Sequence, residues 1–366
     1  MKKAFMRGHE GAKTLRSTKK LLRVSSRLCV FVAVLAGFTI SVGAQDIHFS
    51  QFNETPLHLN PAYTGMFDGI FRVSLHHRNQ WTSMGSPYKT SAGAFDMVIG
   101  NPNGNARMGI GLFMFKDQAG DSKLGTFQGA LSLSGLVKLD DRSTLSAGIQ
   151  GGYAQRSATI ASLQWESQYV NGAYDPNALA NEANMLTSFP YVDFAGGVAY
   201  QFRNVSGTLL GKDVFELNLG ASVFHFNKPE QKFHGGGDDQ LDMRIVLHTH
   251  VRYDLPGTAW SLRPSVTYMK QGPASEIMFG GAVRYRIRSG TKVTNFFSES
   301  GIGFGAHYRW KDAIVPQLYY DLGDFFVGLA YDINVSKYSA ISKSQGGWEV
   351  TLRYANLHGA LYKNRK

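Results

Sequence analysis

Residues 325–354 read FFVGLAYDINVSKYSAISKSQGGWEVTLRY, two alternating runs joined by a connection rich in serine, lysine and glycine. In the second run Trp348, Val350, Leu352 and Tyr354 share one face, and Glu349, Thr351 and Arg353 share the other. Successive side chains of a strand point to opposite sides, so this strand is apolar on one face and polar on the other. In a soluble sandwich the apolar face meets a second sheet. In an outer-membrane barrel it meets lipid, and the polar face lines the interior. What covers that face decides what the protein is.

The N-terminus favours the membrane. Residues 1–27 carry nine lysines and arginines against a single Glu10, and an apolar run follows, LCVFVAVLAGFTI at 28–40, then Val42-Gly43-Ala44. A basic region, a short apolar core and small residues at a cleavage point make a secretory signal. The run is shorter than the ~20 residues a permanent span needs. Residues 1–44 are therefore expected to be a signal peptide, with the mature chain starting at Gln45 and Met6 equally usable as initiator.

The leader also carries most of the charge imbalance. The chain has 38 Lys+Arg and 27 Asp+Glu; with nine and one of these in residues 1–44, 29 basic and 26 acidic residues remain. The basic isoelectric point near 9.5 is mostly the leader's, and a nucleic-acid partner loses its footing. Cys29, the single cysteine, also lies in the leader. An exported chain without disulfides needs another source of rigidity, and a closed hydrogen-bonded barrel provides one.

After the leader no segment reaches 18 consecutive apolar residues, and no helical stripe runs beyond a couple of turns. Period-two alternation opens instead at Phe71, with Phe71, Val73, Leu75 and His77 opposing Arg72, Ser74, His76 and Arg78. It recurs through the chain, more weakly at 88–99 and 313–321, to the terminal hairpin. The pattern predicts an all-β fold, an antiparallel transmembrane β-barrel of about 14 strands. An even number returns both barrel ends to the periplasm.

Short turns at 139–143, 254–258 and 321–324 then fall inside, and the long connections 157–189 and 228–240 fall outside. The connections 271–274 and 288–299 break this rule. Pro264 and Pro316 fall within strands and are expected to need a bulge or a strand end. The expected organisation is a signal peptide at 1–44, a periplasmic or plug-forming arm at 45–66, a barrel at 67–356 and a tail at 357–366. Prolines 56 and 61 with Asn53 and Asn60 argue against regular structure in the arm. It can fold into the lumen, pack under the barrel or bind a partner.

Little in the chain suggests a reaction. His248 and His250 share a polar face with Arg244 and Arg252; like charge disfavours a cation there, and lumenal hydrogen bonding is the better reading. His76 and His77 face opposite sides. Asp117, Asp121, Asp238 and Asp239 lack the spacing of a calcium loop and read as solvated outer turns. Ser222 and His225 are of opposite parity, and no G-x-S-x-G elbow occurs. No catalytic residue, cofactor or metal is assigned. The rows Arg72/Arg78, Arg244/Arg252 and Arg284/Arg286/Arg288 are expected to line the lumen in structural ion pairs, with Asp193 or Glu216 as partners, rather than to select anions.

Several blocks carry a resemblance. QDIHFSQF and PLHLNPAYTG within 45–65, RNQW at 78–81, GASVFHFNKPEQKF at 220–233 and LRPSVTYMKQG at 262–272 are followed by KDAIVP at 311–316, GLAYDINVSK at 328–337 and GGWEVTLRY at 346–354. In this order they resemble the PorP/SprF family of type IX secretion outer-membrane proteins of Bacteroidota. The leader is longer than that family's usual one, and the insert 157–189 departs from its pattern.

The resemblance implies a non-enzymatic outer-membrane barrel. Such a barrel docks or anchors a secreted adhesin or other substrate through its C-terminal sorting domain, and associates with periplasmic ring or lipoprotein components. It singles out, without a role, Asn60, Pro61, Tyr63, Gly65, Arg78, Asn79, Gln80, Trp81, His225, Pro229, Asp312, Asp332, Asn334, Ser336 and Glu349. A passive porin or small-solute channel in outer-membrane lipid is the alternative.

Overall fold

The computed structural model describes residues 46–81, 87–101, 104–120, 122–159, 163–170, 172–179, 188–208, 211–231, 240–289, 299–336 and 339–356. The expected signal peptide, the tail at 357–366, Asp121, Asp238 and Asp239 lie outside the described residues.

The strands are β1 (Phe71–Gln80), β2 (Tyr88–Ile99), β3 (Ala106–Ala119), β4 (Leu124–Lys138) and β5 (Ser143–Ser157). After β5 a short ribbon of β6 (Tyr169–Val170) and β7 (Ala173–Tyr174) stands apart from the wall. The wall resumes with β8 (Ser188–Thr208), β9 (Gly211–Phe224), β10 (Arg244–Asp254), β11 (Trp260–Gln271) and β12 (Ala274–Arg288). It ends with β13 (Ser300–Arg309), β14 (Ala313–Leu322), β15 (Phe325–Asn334) and β16 (Gln345–Ala355). Fourteen of these strands form one closed barrel, each antiparallel to its sequence neighbour in the wall. β1 and β16 close it, from Arg72 opposite Ala355 to Gln80 opposite Gly347. Every alternating run named above is a wall strand.

The faces sort as period two requires. Outward residues such as Leu131, Ile149 and Phe304 are 64%, 66% and 59% exposed, whereas inward Ser132, Ser146 and Thr351 are buried. An apolar exterior around a polar interior inverts a soluble protein and suits a wall facing lipid. Trp348 and Leu352 point outward and Glu349 inward, as their parity demands.

The two ends differ. The connections 158–187 and 225–243 share one end, here the loop end; 139–142, 255–259 and 323–324 share the other, the turn end, with the start of β1 and the finish of β16. On the length rule the loop end faces out of the cell.

Neither proline behaves as expected. Pro264 lies inside β11 and Pro316 inside β14, and the ladders pass both without a change of register. Pairing lapses only between the His250–Ser265 and Tyr253–Leu262 rungs, and between Ile314–Ile333 and Gln317–Ala330. A missing N–H removes a rung, but neighbours on both sides hold the strand in line. Register shifts occur elsewhere, between Arg286 and Arg288 and between Asp332 and Ile333.

The interior holds apolar clusters, and each is built on the arm. Phe52 and Leu59 pack on Phe224, Val246 and Met278. Phe49 and Leu57 meet Phe113 and Phe115. Ala62 and Met66 meet Leu136 and Ala199. The arm therefore lies in the lumen, packed on the inner face of the wall.

Candidate functional site

The arm is a plug made of single turns. Phe52–Glu54 and Pro61–Tyr63 form 3-10 turns and Pro56–Leu59 one α-turn. Prolines 56 and 61 each open a turn, where a missing N–H costs nothing. Asn60 joins the last two: its side-chain oxygen accepts from Ala62 N at 2.9 Å, and its amide donates to Val198 O at 2.9 Å and Ala221 O at 3.3 Å.

The plug is latched at the loop end by residues from β1, β13, β15 and β16. Glu349 accepts the backbone N–H groups of Ser50 and Gln51 at 2.7 and 2.9 Å. Asp332 accepts the Ser50 hydroxyl at 2.7 Å and pairs with Arg78 at 2.7 Å and Arg309 at 3.1 Å. Arg78 also donates to the His48 carbonyl, and Arg309 to Ser50 Oγ at 2.8 Å. Arg309 reaches Asp312 at 3.1 Å, whose carbonyl accepts Val335 N and Ser336 N. Motifs far apart in the chain, RNQW, KDAIVP, YDINVSK and GGWE, thus meet around Ser50.

Elsewhere the wall meets the plug through hydroxyls. Ser222, Ser146 and Ser134 donate to the carbonyls of Leu59, Ala62 and Thr64 at 2.7, 2.7 and 2.6 Å. Gly65, at φ +70°, donates its N–H to Asp96 at 2.8 Å, and Asp96 also pairs with Arg72 at 2.8 Å. The wall is stripped of side chains where the plug touches it. A Cβ on Gly148 would lie 2.5 Å from the Pro61 carbonyl, and one on Gly197 would lie 2.2 Å from Asn60 Oδ1. Gly148→Val is therefore expected to loosen the plug by about 1–3 kcal/mol, seen as faster chymotrypsin cleavage at Phe49 or Phe52. Gly135→Val, with nothing within 4 Å of its new Cβ, should leave that rate unchanged.

His225 is the remaining latch. It sits just past β9 at φ +56°, and its ring bridges Asp46 and, at 2.8 Å, Asp193. Arg244 adds a 3.5 Å contact to Asp46. Burial works against a charged ring, but Asp46 and Asp193 outweigh it and raise the pKa from 6.5 to about 9. The raised value makes this contribution complete below the free-histidine pKa and lost as pH rises through about 9. Plug openings, read as conductance bursts in planar bilayers, are expected to be rare at pH 6 and frequent at pH 10. His225→Gln should remove that dependence.

The other motif positions shape the rim and the plug. Trp81, at φ +59°, donates its N–H to Gly346 O at 2.6 Å and packs edge-on to Tyr88. Asn79 and Gln80 pair with Trp348 and Gly347. Asn334 donates to Ser342 and to the Gln345 carbonyl at 3.2 and 3.3 Å, and the Pro229 carbonyl accepts Leu241 N. Tyr63 packs at a tilt against His248, with ring centroids 4.9 Å apart and the planes at 56°.

Four expectations change. His225 and Ser222 both turn into the lumen despite opposite parity, because the strand ends at Phe224 and a left-handed residue follows; each is bonded to the plug and they form no dyad. Asp117 is a wall residue of β3 that accepts Thr90 Oγ1 at 2.6 Å, not a solvated turn. The ring nitrogens of His248 make no hydrogen bond, so lumenal bonding does not explain the H-x-H pair. The arginine rows are ion-paired, but not by Asp193 or Glu216. Asp96, Asp332, Asp46, Asp254 and Asp321 serve Arg72, Arg78, Arg244, Arg252 and Arg284, while Glu216 takes Arg203. Arg309, Asp96 and Asp46 are the functional residues that sequence reasoning missed, since nothing local separates them from other charges on polar faces.

Below the plug a cavity of about 350 Å³ remains toward the turn end. It is lined by plug residues including Glu54 and Tyr63, and by wall residues including Arg203, His248, Arg252, Arg263, His307, Tyr319 and Arg353.

A family model described as type IX secretion system membrane protein PorP/SprF matches residues 41–354. No curated protein relative matches the chain. Among solved structures, the chain is similar to BamA from Haemophilus ducreyi lacking POTRA domains 1–3. That match has a TM-score of 0.39 and 8% identity, over 78% of this chain and 70% of the other. It is similar to the P. putida toluene transporter TodX, with a TM-score of 0.42 and 10% identity over 82% and 93%. It is also similar to the translocator domain of the autotransporter NalP from Neisseria meningitidis, with a TM-score of 0.32 and 8% identity over 94% and 99%.

Proposed function

The chain belongs to the PorP/SprF family of type IX secretion system membrane proteins, and from that premise we propose that it is a non-enzymatic docking barrel. In the outer membrane it holds a secreted surface protein by its C-terminal sorting domain and links it to periplasmic ring components. The observation that carries the reading is the latched plug. The chain's own arm occupies the lumen beside the remaining cavity, and the family-motif residues Arg78, Asp332 and Glu349 are spent on holding it there. A latched plug argues against an open, passively conducting pore. The buried arm is also withdrawn as a contact surface, which leaves the long connection 158–187 at the loop end as the candidate.

Gentle detergent extraction of the tagged protein, with mass spectrometry of what accompanies it, tests the reading. A large secreted protein with a sorting domain, or ring components, is the expected result. Recovery of the barrel alone overturns it and returns weight to a passive channel.

A further inference from the structure

We propose that the cavity at the turn end is a binding site for acidic peptide side chains. Arg263, on the inner face of β11, has no ion-pair partner among the described residues. Its guanidinium carbon stands 5.4 Å from the centre of the Tyr319 ring. Asp321, the carboxylate that interacts with it, is already held by two hydrogen bonds from Arg284, at 2.7 and 2.5 Å. Arg252 and Arg284 add like charge nearby. Arg263 is half-buried, and a guanidinium partly removed from bulk water without a carboxylate is satisfied by an anion that enters with a ligand.

Polar atoms around it are unpartnered as well. Arg263 Nε, Tyr319 Oη, His307 Nδ1 and both ring nitrogens of His248 are buried without a hydrogen-bond partner, and His248 is only 5% exposed. Their side chains line one cavity. A planar guanidinium takes a carboxylate through two parallel hydrogen bonds. The cavity is of a size that encloses a few side chains. Its lining includes Gly323 and Asp324 of the turn between β14 and β15, so it extends to the turn end, the side the loop rule assigns to the periplasm. A peptide is favoured over a lipid headgroup because the site lies inside the wall rather than on its lipid face. The inference does not rest on the docking of a sorting domain.

The test is calorimetric titration of the purified full-length barrel in detergent with acetyl-tetraglutamate amide. Acetyl-tetraglutamine amide and inorganic phosphate are the comparison probes. The glutamate peptide is expected to bind and the glutamine peptide not. Arg263→Met should weaken binding by about ten-fold or more, and Arg263→Lys should recover part of it. The heat-dependent gel mobility of a folded barrel shows that each variant is intact. Tyr319→Phe gives an independent check, with a smaller loss expected. Absence of binding, or unchanged binding in Arg263→Met, overturns the proposal. Phosphate binding tighter than the peptide's also overturns it, in favour of a small inorganic anion.

Discussion

Deletion of residues 46–64 is expected to turn a silent barrel into one that conducts in stable steps in planar bilayers. The wall does not depend on the arm for its closure, because every wall strand is hydrogen-bonded to two others and β1 pairs with β16. Fourteen strands fall between the eight whose side chains fill the interior and the sixteen or more, roughly, that enclose an aqueous channel, so here the plug decides. Phe49, Phe52, Leu57 and Leu59 are buried in the lumen. Burying four such side chains is worth about 6–12 kcal/mol as an upper bound, enough to keep the plug seated. The deletion exposes Glu349, Asp332, Arg78 and Arg309 to water, which solvates them in an open lumen. A deletion variant that folds, by its heat-dependent gel mobility, yet stays silent would show that the arm is not the seal.

Asp332→Ala is expected to release the loop-end latch while leaving the wall closed. Asp332 is shared by two arginines, Arg78 and Arg309, that are 3% and 2% exposed. Removing one partner of a buried ion pair costs about 3–5 kcal/mol, because a charge is left behind. Here two are left. Asp332 also accepts the Ser50 hydroxyl, so the plug loses a direct contact together with its ionic frame. Frequent openings and rapid chymotrypsin cleavage at Phe49 or Phe52 should follow. Ser50→Ala removes hydroxyl bonds worth about 1 kcal/mol each and should keep the plug seated. Equal behaviour of the two variants would mean that the latch is carried by the Glu349 bonds alone.

The sequence by itself determined the wall. Whether Leu131 faces lipid and Ser132 the lumen depends only on parity along one strand, and parity is a local property. The number of strands, their inner and outer faces and the even closure followed from it. What the arm does, and which carboxylate each arginine uses, belongs to the tertiary structure. Arg78 on β1 pairs with Asp332 on β15, a strand it reaches only across β16 once the barrel has closed. Asp193 and Glu216 looked as suitable on the chain, but register and curvature put Asp193 beside His225 and Glu216 beside Arg203.

The arm shows the same division. Its prolines and asparagines predicted short irregular turns. Its place in the lumen is set by complementarity, with Phe49, Phe52 and Leu57 meeting apolar wall patches and Pro61 lying where the wall carries Gly148. A strand pattern is written in neighbouring residues. A fit between a plug and its wall is written in residues that meet only after the sheet has curled and closed.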